Sequence, residues 1–311
     1  MIERYFIVNP KAKNGQCLRV WGEVEEHLQK LGIAYKVYFT EYAGQATQIA
    51  STIISATSNQ SIFIVVVGGD GTLHEVANGV AGHLNVSLGF IPGGSGNDFS
   101  RGFEIPRSPI EALETILKKH EPIVIDTGRV RTKESEAYFV NNMGVGFDAA
   151  ICKSANQSKL KAKLNSVSLG GLVYVLILLK LLFTYKCTKM TIFIDGQKRE
   201  FANVWFATIA NQVYFGGGMK IAPHALPMDG ELDVIVVHNL SRWKLLLVFA
   251  SVFWGGHTNF KEVHFYKGKR ISIQTENQVF THADGEVIGT TPINVEVVEN
   301  SLHILAGKSE D

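Results

Sequence analysis

The run Val65-Val66-Val67-Gly68-Gly69-Asp70-Gly71-Thr72-Leu73-His74 ends an apolar stretch in three glycines around one aspartate and leads directly into a helical pattern. Glycines let a backbone turn tightly and approach a ligand, and the helix start behind them offers unpaired N–H groups to an anion. Asp70 adds negative charge to such a cradle. That fits phosphate chemistry when a divalent cation or a ligand hydroxyl lies between the carboxylate and the phosphate. The plainer reading is a strand-to-helix turn capped by an aspartate. A second loop, Ile91-Pro92-Gly93-Gly94-Ser95-Gly96-Asn97-Asp98-Phe99-Ser100-Arg101, repeats the arrangement with an Asn–Asp pair and an arginine. Asn97 and Asp98 could equally satisfy turn amides, but two such loops after two strands favour phosphate binding. Neither loop is GxxxxGK[ST] or GxGxxG, so a nucleotide here needs other contacts. Asn9-Pro10-Lys11-Ala12-Lys13-Asn14-Gly15 and Thr40, each after a strand-like run, offer them.

Three further acidic positions stand out. Asp126 follows Ile123-Val124-Ile125 and reads as ending that strand. Asp229-Gly230-Glu231 and Asp284-Gly285-Glu286 each read, taken alone, as hairpin turns.

The elements that position these residues follow from periodicity. Tyr5–Val8, Tyr35–Thr40, Ile62–Val67 and Val86–Ile91 read as strands. Between them, Val20, Trp21, Val24, Leu28 and Leu31, then Ala46, Ile49, Ala50, Ile53 and Ile54, then Leu73, Val76, Ala77 and Val80 fall on helical faces. Ser108-Pro109-Ile110-Glu111 combines an N-cap serine, a first-turn proline and a capping-box glutamate. This alternation predicts an α/β domain over residues 1–127 with a doubly wound parallel sheet. Beyond Asp126, strand-like runs dominate, among them Tyr138–Val140, Met190–Ile194, Val204–Ile209, Val234–Val237, Ile271–Gln274 and Val295–Val298. Asp195-Gly196 is a strong hairpin signal. Residues 128–311 therefore read as a predominantly antiparallel β domain, with the last strand able to return to the first.

Composition bounds the rest. The 311 residues suit about two domains at roughly 150 residues each. Hydrophobic residues at 46% and charged residues at 19% exclude a disordered chain. Thirty basic against twenty-nine acidic residues give no global pull toward nucleic acid. Three widely spaced cysteines, Cys17, Cys152 and Cys187, fit a reducing cytoplasm, and the histidines form no HExxH pattern. The start does not read as a signal peptide. The apolar runs Leu172–Phe183 and Leu245–Trp254 fall short of the ~20 residues of a membrane span, and read as buried or interfacial helices. Lys159, Lys161 and Lys163 precede the first of them, either as a solvated lead-in or facing anionic headgroups.

Asn9-Pro10, Gly68-Gly69-Asp70-Gly71-Thr72, Gly96-Asn97-Asp98-Phe99-Ser100-Arg101 and Asp284-Gly285-Glu286, in this order over essentially the whole chain, resemble the diacylglycerol kinase catalytic-domain family, specifically bacterial soluble lipid kinases of the YegS type. The Gly-Gly-Asp-Gly-Thr loop alone is shared with NAD kinases and resembles that of phosphofructokinase. Gly-Asn-Asp-Phe and the late Asp-Gly-Glu select the lipid kinases. The resemblance implies an NAD kinase/diacylglycerol kinase-like first domain that binds ATP, with a lipid entering between the domains. Nucleotide contacts would come from Asn9, Pro10, Lys11, Ala12, Lys13, Thr40, Gly68, Gly69, Asp70, Gly71, Thr72, Leu73, His74 and Ser95, with Asn97 and Asp98 beside them. Ser95 stands where relatives often carry threonine. The segment around Asp229 resembles a structural Mg²⁺ loop, with Leu226 and Glu231 giving carbonyls and Asp229 a carboxylate; Pro227 departs from the commoner pattern. Glu286 would be the general base on the lipid hydroxyl, and Asp70 and Asp126 the other catalytic carboxylates. The implied reaction is phosphorylation of a lipid, diacylglycerol first, by a cytoplasmic protein at the inner membrane face. An exposed sheet edge in the second domain would allow a homodimer. The rival readings are an NAD kinase-like small-molecule kinase and a non-catalytic lipid-binding regulatory protein of the same fold.

Overall fold

The structure is a computed structural model that describes residues 3–57, 61–118, 121–157 and 170–307. The chain divides into two units, residues 1–127 with 299–311, and residues 128–298. The tail after 298 thus groups with the first unit. Lys159, Lys161 and Lys163 lie outside the described residues.

In the first unit, β1 (Arg4–Val8), β2 (Lys36–Phe39), β3 (Ile62–Gly68) and β4 (Val86–Pro92) form a parallel sheet in the order β2-β1-β3-β4. Buried apolar runs on β1, β3 and β4 are what a sheet covered on both faces requires. Helix α1 (Cys17–Lys30) turns Cys17, Trp21, Val24 and Leu28 inward. Val20 and Leu31, expected on the same stripe, are half-buried and exposed, because the inward stripe begins one turn earlier, at Cys17. Helices α2 (Gln45–Ala56) and α3 (Asp70–Val80) pack together, and α1 packs on a later helix, α5. Short α4 is Asp98–Gly102. For α5 (Pro109–Lys118), Ser108 Oγ accepts the amide of Glu111 at 3.4 Å. The chain passes from β1 to β2 on one side and returns to β3 on the other. The topological switch point therefore lies between β1 and β3, where ligands bind in such sheets.

Strand β5 spans Ile123–Arg131, so Asp126 sits inside a strand and does not end it. The reason lies at Gly128, which pairs with Phe139 at a spot where a Cβ would come within 1.9 Å of the Phe139 ring. Gly128 lets an aromatic ring lie on the strand and does not interrupt it.

The second unit is antiparallel throughout. Its strands are β6 (Glu136–Phe139), β7 (Asn142–Gly146), β8 (Thr188–Ile194), β9 (Gln197–Ala210), a small hairpin of β10 (Tyr214–Phe215) and β11 (Met219–Lys220), β12 (Leu232–His238), β13 (Val263–Gly268), β14 (Arg270–Thr275), β15 (Phe280–Ala283), β16 (Glu286–Thr290) and β17 (Ile293–Leu305). Asp195 and Gly196 form the two-residue turn between β8 and β9, both with positive φ, as the dipeptide predicts. The long β9 pairs with β8 along its first half, and with β7 and β12 beyond. On β12, Val234 and Val236 enter one apolar cluster, and Ile235 and Val237 enter another. The sheet is thus covered on both faces, by the period-2 rule. Helices α6 (Phe147–Asn156), α7 (Gly170–Thr184) and α8 (Arg242–Ser251) lie in this unit, and Leu178, Leu182, Leu245 and Val248 join the second cluster. Residues 299–311 belong to the first unit, where His303–Leu305 of β17 pair in parallel with β4.

His257, 1% exposed, sets its Nε2 against the carbonyl of Ile221 at 2.9 Å, and burial holds its pKa below the ordinary 6.5. The folded state keeps this ring neutral. Its contribution to stability is present above pH 6.5 and is lost as pH falls through the depressed folded value. Thermal unfolding of His257→Gln is expected to show a flatter pH dependence below 6.5 than the native chain; equal slopes would remove His257 from this role.

Candidate functional site

The carboxyl ends of the parallel strands carry most of the predicted nucleotide residues in one row. The amide of Thr40 bonds to Val8 O, the amide of Asn9 to Val67 O, and the amide of Gly93 to Gly68 O, at 2.9, 2.9 and 2.6 Å. Thr40, Asn9, Gly68 and Gly93 are therefore neighbours across the ends of β2, β1, β3 and β4. Across the switch point Asn9 Nδ2 donates to Thr72 Oγ1 at 3.0 Å, and Asn9 Oδ1 accepts the Lys11 amide at 3.1 Å. Lys11 Nζ donates to Glu41 O. Ala12 opens a 3-10 turn in which Lys13 and Asn14 take left-handed conformations. Ser95 is exposed at the tip of its loop, and Gly71 is half-buried in the first turn of α3. Leu73 is fully buried and His74 nearly so, which leaves Leu73 only its backbone to offer a ligand.

The two glycine loops touch through their backbones. A Cβ on Gly94 would sit 2.4 Å from Gly69 Cα, and one on Gly96 would sit 2.9 Å from Asp70 Oδ2. Asp70 explains the contact. Its Oδ2 accepts the Asp98 amide at 3.1 Å and its Oδ1 the Phe99 amide at 3.0 Å, so one carboxylate caps α4 from the first turn of α3. Asn97 takes a left-handed conformation before these amides and donates Nδ2 to Gly94 O. Asp98, 6% exposed, pairs with Arg101 at 3.0 Å, and Arg101 also bonds Gly96 O. Asp70 is therefore the clasp that holds one loop against the other. The start of α3 faces the same strand ends, which is a setting for anionic groups, while Asp70 itself occupies the first amides of α4.

Asp126, 3% exposed, accepts the amide of Asn300 at 2.8 Å, and beside it Thr127 and Ser301 share a hydroxyl bond of 2.8 Å. This aspartate fastens β17 to β5 within the first unit.

In the second unit, Asp284 and Gly285 form a two-residue turn between β15 and β16 with φ of 47° and 92°. The Asp284 carboxylate accepts three main-chain amides, from Val140, Asn141 and Asn142, at 2.9 to 3.1 Å. The Gly285 amide donates to His282 Nδ1 at 3.2 Å, which makes Nδ1 the acceptor nitrogen of that ring. His282 is fully buried, stacked on Phe215, with Nε2 3.7 Å from Asp148 on α6. Gly144 leaves room for this pair, since a Cβ there would lie 2.0 Å from Asp148 Oδ2. Glu286 follows the turn, exposed, and makes no hydrogen bond or ion pair among the described residues. Its own unit thus does not desolvate it as a tuned base would need. Sequence reasoning passed over Asn141, Asn142, Asn211, Gln212, His282 and Asp148. Gln212 Nε2 bonds Asn141 Oδ1 at 2.9 Å, and Asn211 Nδ2 bonds Val140 O at 3.1 Å. The available signal was two uncharged amide pairs, each directly after an apolar strand.

The predicted Mg²⁺ loop holds a different cation. Asp229 Oδ2 lies 2.7 Å from Lys267 Nζ, and its Oδ1 accepts the Glu231 amide at 3.1 Å. Lys267 also reaches the buried Asp233 at 3.5 Å, whose pKa burial pushes up. Leu226 O accepts the Asp229 amide at 3.4 Å, and the Leu226 side chain is exposed. With its free oxygen on an ammonium, this donor set does not fit a divalent ion. Lys267 comes from β13, some forty residues on, outside the segment on which the resemblance to a magnesium loop rests.

The family description "Diacylglycerol kinase catalytic domain" matches residues 3–130, and "YegS C-terminal NAD kinase beta sandwich-like domain" matches 141–306. A Bacillus subtilis protein provisionally described as lipid kinase YtlR is 35% identical over 305 residues, covering 96% of this chain and 98% of that protein. A Staphylococcus aureus diacylglycerol kinase is 30% identical over 304 residues, covering 96% and 91%. A solved structure of a Bacillus anthracis protein, provisionally described as a diacylglycerol kinase, superposes with a TM-score of 0.75 at 25% identity, covering 99% and 98%.

Two outcomes follow from the clasp and the lysine. Asp70→Asn places an amide donor against a main-chain donor, and is expected to lower unfolding free energy by about 1–3 kcal/mol in denaturant titration; unchanged stability would mean the clasp is dispensable. Chelator is expected to leave the melting temperature unchanged, whereas Lys267→Met should lower it and make it respond to added Mg²⁺. A native chain destabilised by chelator would restore the metal loop.

Proposed function

This chain belongs to the diacylglycerol kinase family of lipid kinases, and from that premise we propose that it transfers the γ-phosphate of ATP to a lipid hydroxyl, with diacylglycerol converted to phosphatidate as the leading reaction. The observation that carries this reading is the convergence of Asn9, Thr40, Gly68–Asp70 and Gly93–Asp98 on the switch-point end of the parallel sheet, held as one surface by the Asp70 clasp. Amides at the start of α3 and the glycine backbone supply charge complementarity to phosphates, the principal means by which phosphoryl transfer is catalysed. Magnesium enters as part of the Mg·ATP substrate.

Glu286 has the chemistry of the base. An exposed carboxylate with no side-chain partner among the described residues can accept a proton, and three amides on Asp284 with His282 on Gly285 hold the turn that presents it. The lipid hydroxyl gives its proton to Glu286 as its oxygen bonds the γ-phosphorus, and the bond to the β–γ bridging oxygen breaks to release ADP. A glutamate with an ordinary pKa near 4.3 is a weak base in water, so lipid and nucleotide must exclude water around it for the step to be fast. Asp126 stands one step back, as a strand fastener in the first unit.

The test is transfer of labelled γ-phosphate from ATP, with Mg²⁺, onto a panel of lipids in mixed micelles, with NAD as a soluble acceptor beside them. Transfer to one lipid is expected, with Asp70→Asn nearly inactive and Glu286→Gln slower by about 10²–10⁴-fold. Full activity in Glu286→Gln would remove it from the base role. Phosphorylation of NAD and no lipid would favour the small-molecule kinase, and ATP binding without transfer to any acceptor would favour a regulatory protein.

A further inference from the structure

Two helices of the second unit share an apolar outer face. On α7, Leu178 and Leu182 point inward, while Leu176, Leu179 and Phe183 are exposed along the other side at helical spacing. On α8, Leu245 and Val248 point inward, while Trp243 and Leu247 stand out at 69% and 65% exposure. The following 3-10 turn adds Phe253 and Trp254, the latter also 69% exposed. The two faces are one surface. The Phe183 and Trp243 rings meet edge to face at 5.8 Å, and Arg242 Nε donates to Leu182 O at 2.9 Å. An exposed patch of this size and aromatic content is uncommon on a chain that only faces water.

Charge says what covers it. Neither residues 170–186 nor residues 241–261 contain a single Asp or Glu. Exposed Lys180, Lys186 and Arg242 border the apolar side chains. Lys244 alone in this group is neutralised by an acidic residue, Glu262, at 2.6 Å. No helix among the described residues is long and apolar enough to cross a membrane. Tryptophans at a rim, leucines between them and unopposed basic residues are the features of a surface that lies in the headgroup region of an anionic bilayer. A second copy of this chain would bring the same positive charges face to face and gain nothing from them.

We infer that the α7–α8 face, with Trp243, Leu247, Trp254 and Phe183 as its apolar contacts and Lys180, Lys186 and Arg242 as its charged ones, docks this chain on an anionic lipid surface. This deepens the lipid kinase reading, on which it rests for its purpose, by naming the surface that reaches the membrane.

The test is co-sedimentation of the full chain with phosphatidylcholine vesicles containing phosphatidylglycerol, without ATP. The native chain is expected to bind, and to bind less at high salt. Trp243→Ser/Trp254→Ser should lose at least about tenfold in partitioning, from the apolar area withdrawn. Lys180→Glu/Lys186→Glu should lose about fivefold or more per site. Thermal melting equal to the native value excludes misfolding in either variant. Native-like vesicle binding by both variants would overturn the assignment. So would a native dimer that the tryptophan variant converts to monomer, with no binding to vesicles. Neither readout needs turnover, so failure of phosphoryl transfer to every lipid would sink the kinase reading and leave the docking surface standing.

Discussion

One carboxylate bridging two loops sets what the first unit can do. Gly68–Thr72 and Gly93–Asn97 lack side chains at the points of contact, so neither loop holds the other by packing. Asp70 replaces packing with two hydrogen bonds to consecutive amides, and in doing so caps α4 while standing in the first turn of α3. The glycines and the aspartate are thus one device. The glycines allow the backbones to approach within van der Waals contact, and the carboxylate makes the approach favourable. A longer acid would not fit, since Gly96 already lies against Asp70 Oδ2.

The same use of aspartate recurs in the second unit. Asp284 accepts three amides, and Asp195 accepts those of Lys269 and Arg270 from its own hairpin turn. In each case a short acidic side chain at a positive-φ turn reaches back to satisfy main-chain donors that the turn leaves open. Each carboxylate also fixes a neighbouring strand end. The Asp-Gly dipeptide therefore marks three different things here: a plain hairpin at Asp195, a clamp that presents Glu286 at Asp284, and a lysine-paired loop at Asp229.

Much of this was legible beforehand. The parallel strands of the first unit show as buried β-branched runs, and the antiparallel second unit shows in its shorter alternating strands. The glycine loops announced where the phosphate-like surface would be. What stayed hidden was set by partners distant in sequence. Asp126 read as the end of the Ile123-Val124-Ile125 strand, yet β5 runs on through Gly128, where the Phe139 ring packs. Asp229 read as a metal ligand by family resemblance alone, and Lys267, 38 positions away, comes near it through the pairing of β12 with β13. Asn141 and Gln212 carried no motif, since their side chains bond each other across 71 positions of sequence.

These arrangements leave the acidic residues unequally available. Asp70, Asp126, Asp195 and Asp284 all accept main-chain amides, and Asp229 holds an ammonium. A carboxylate so engaged has its oxygens occupied by donors of the protein. Glu286 stands outside that pattern, one residue beyond the best-clamped turn in the chain and exposed. Rigid support under a free carboxylate is what a proton acceptor needs, since placement decides whether the acceptor reaches the hydroxyl at all. On the proposed reading Asp284 would belong to the support and Glu286 to the chemistry, although the two sit side by side in one tripeptide.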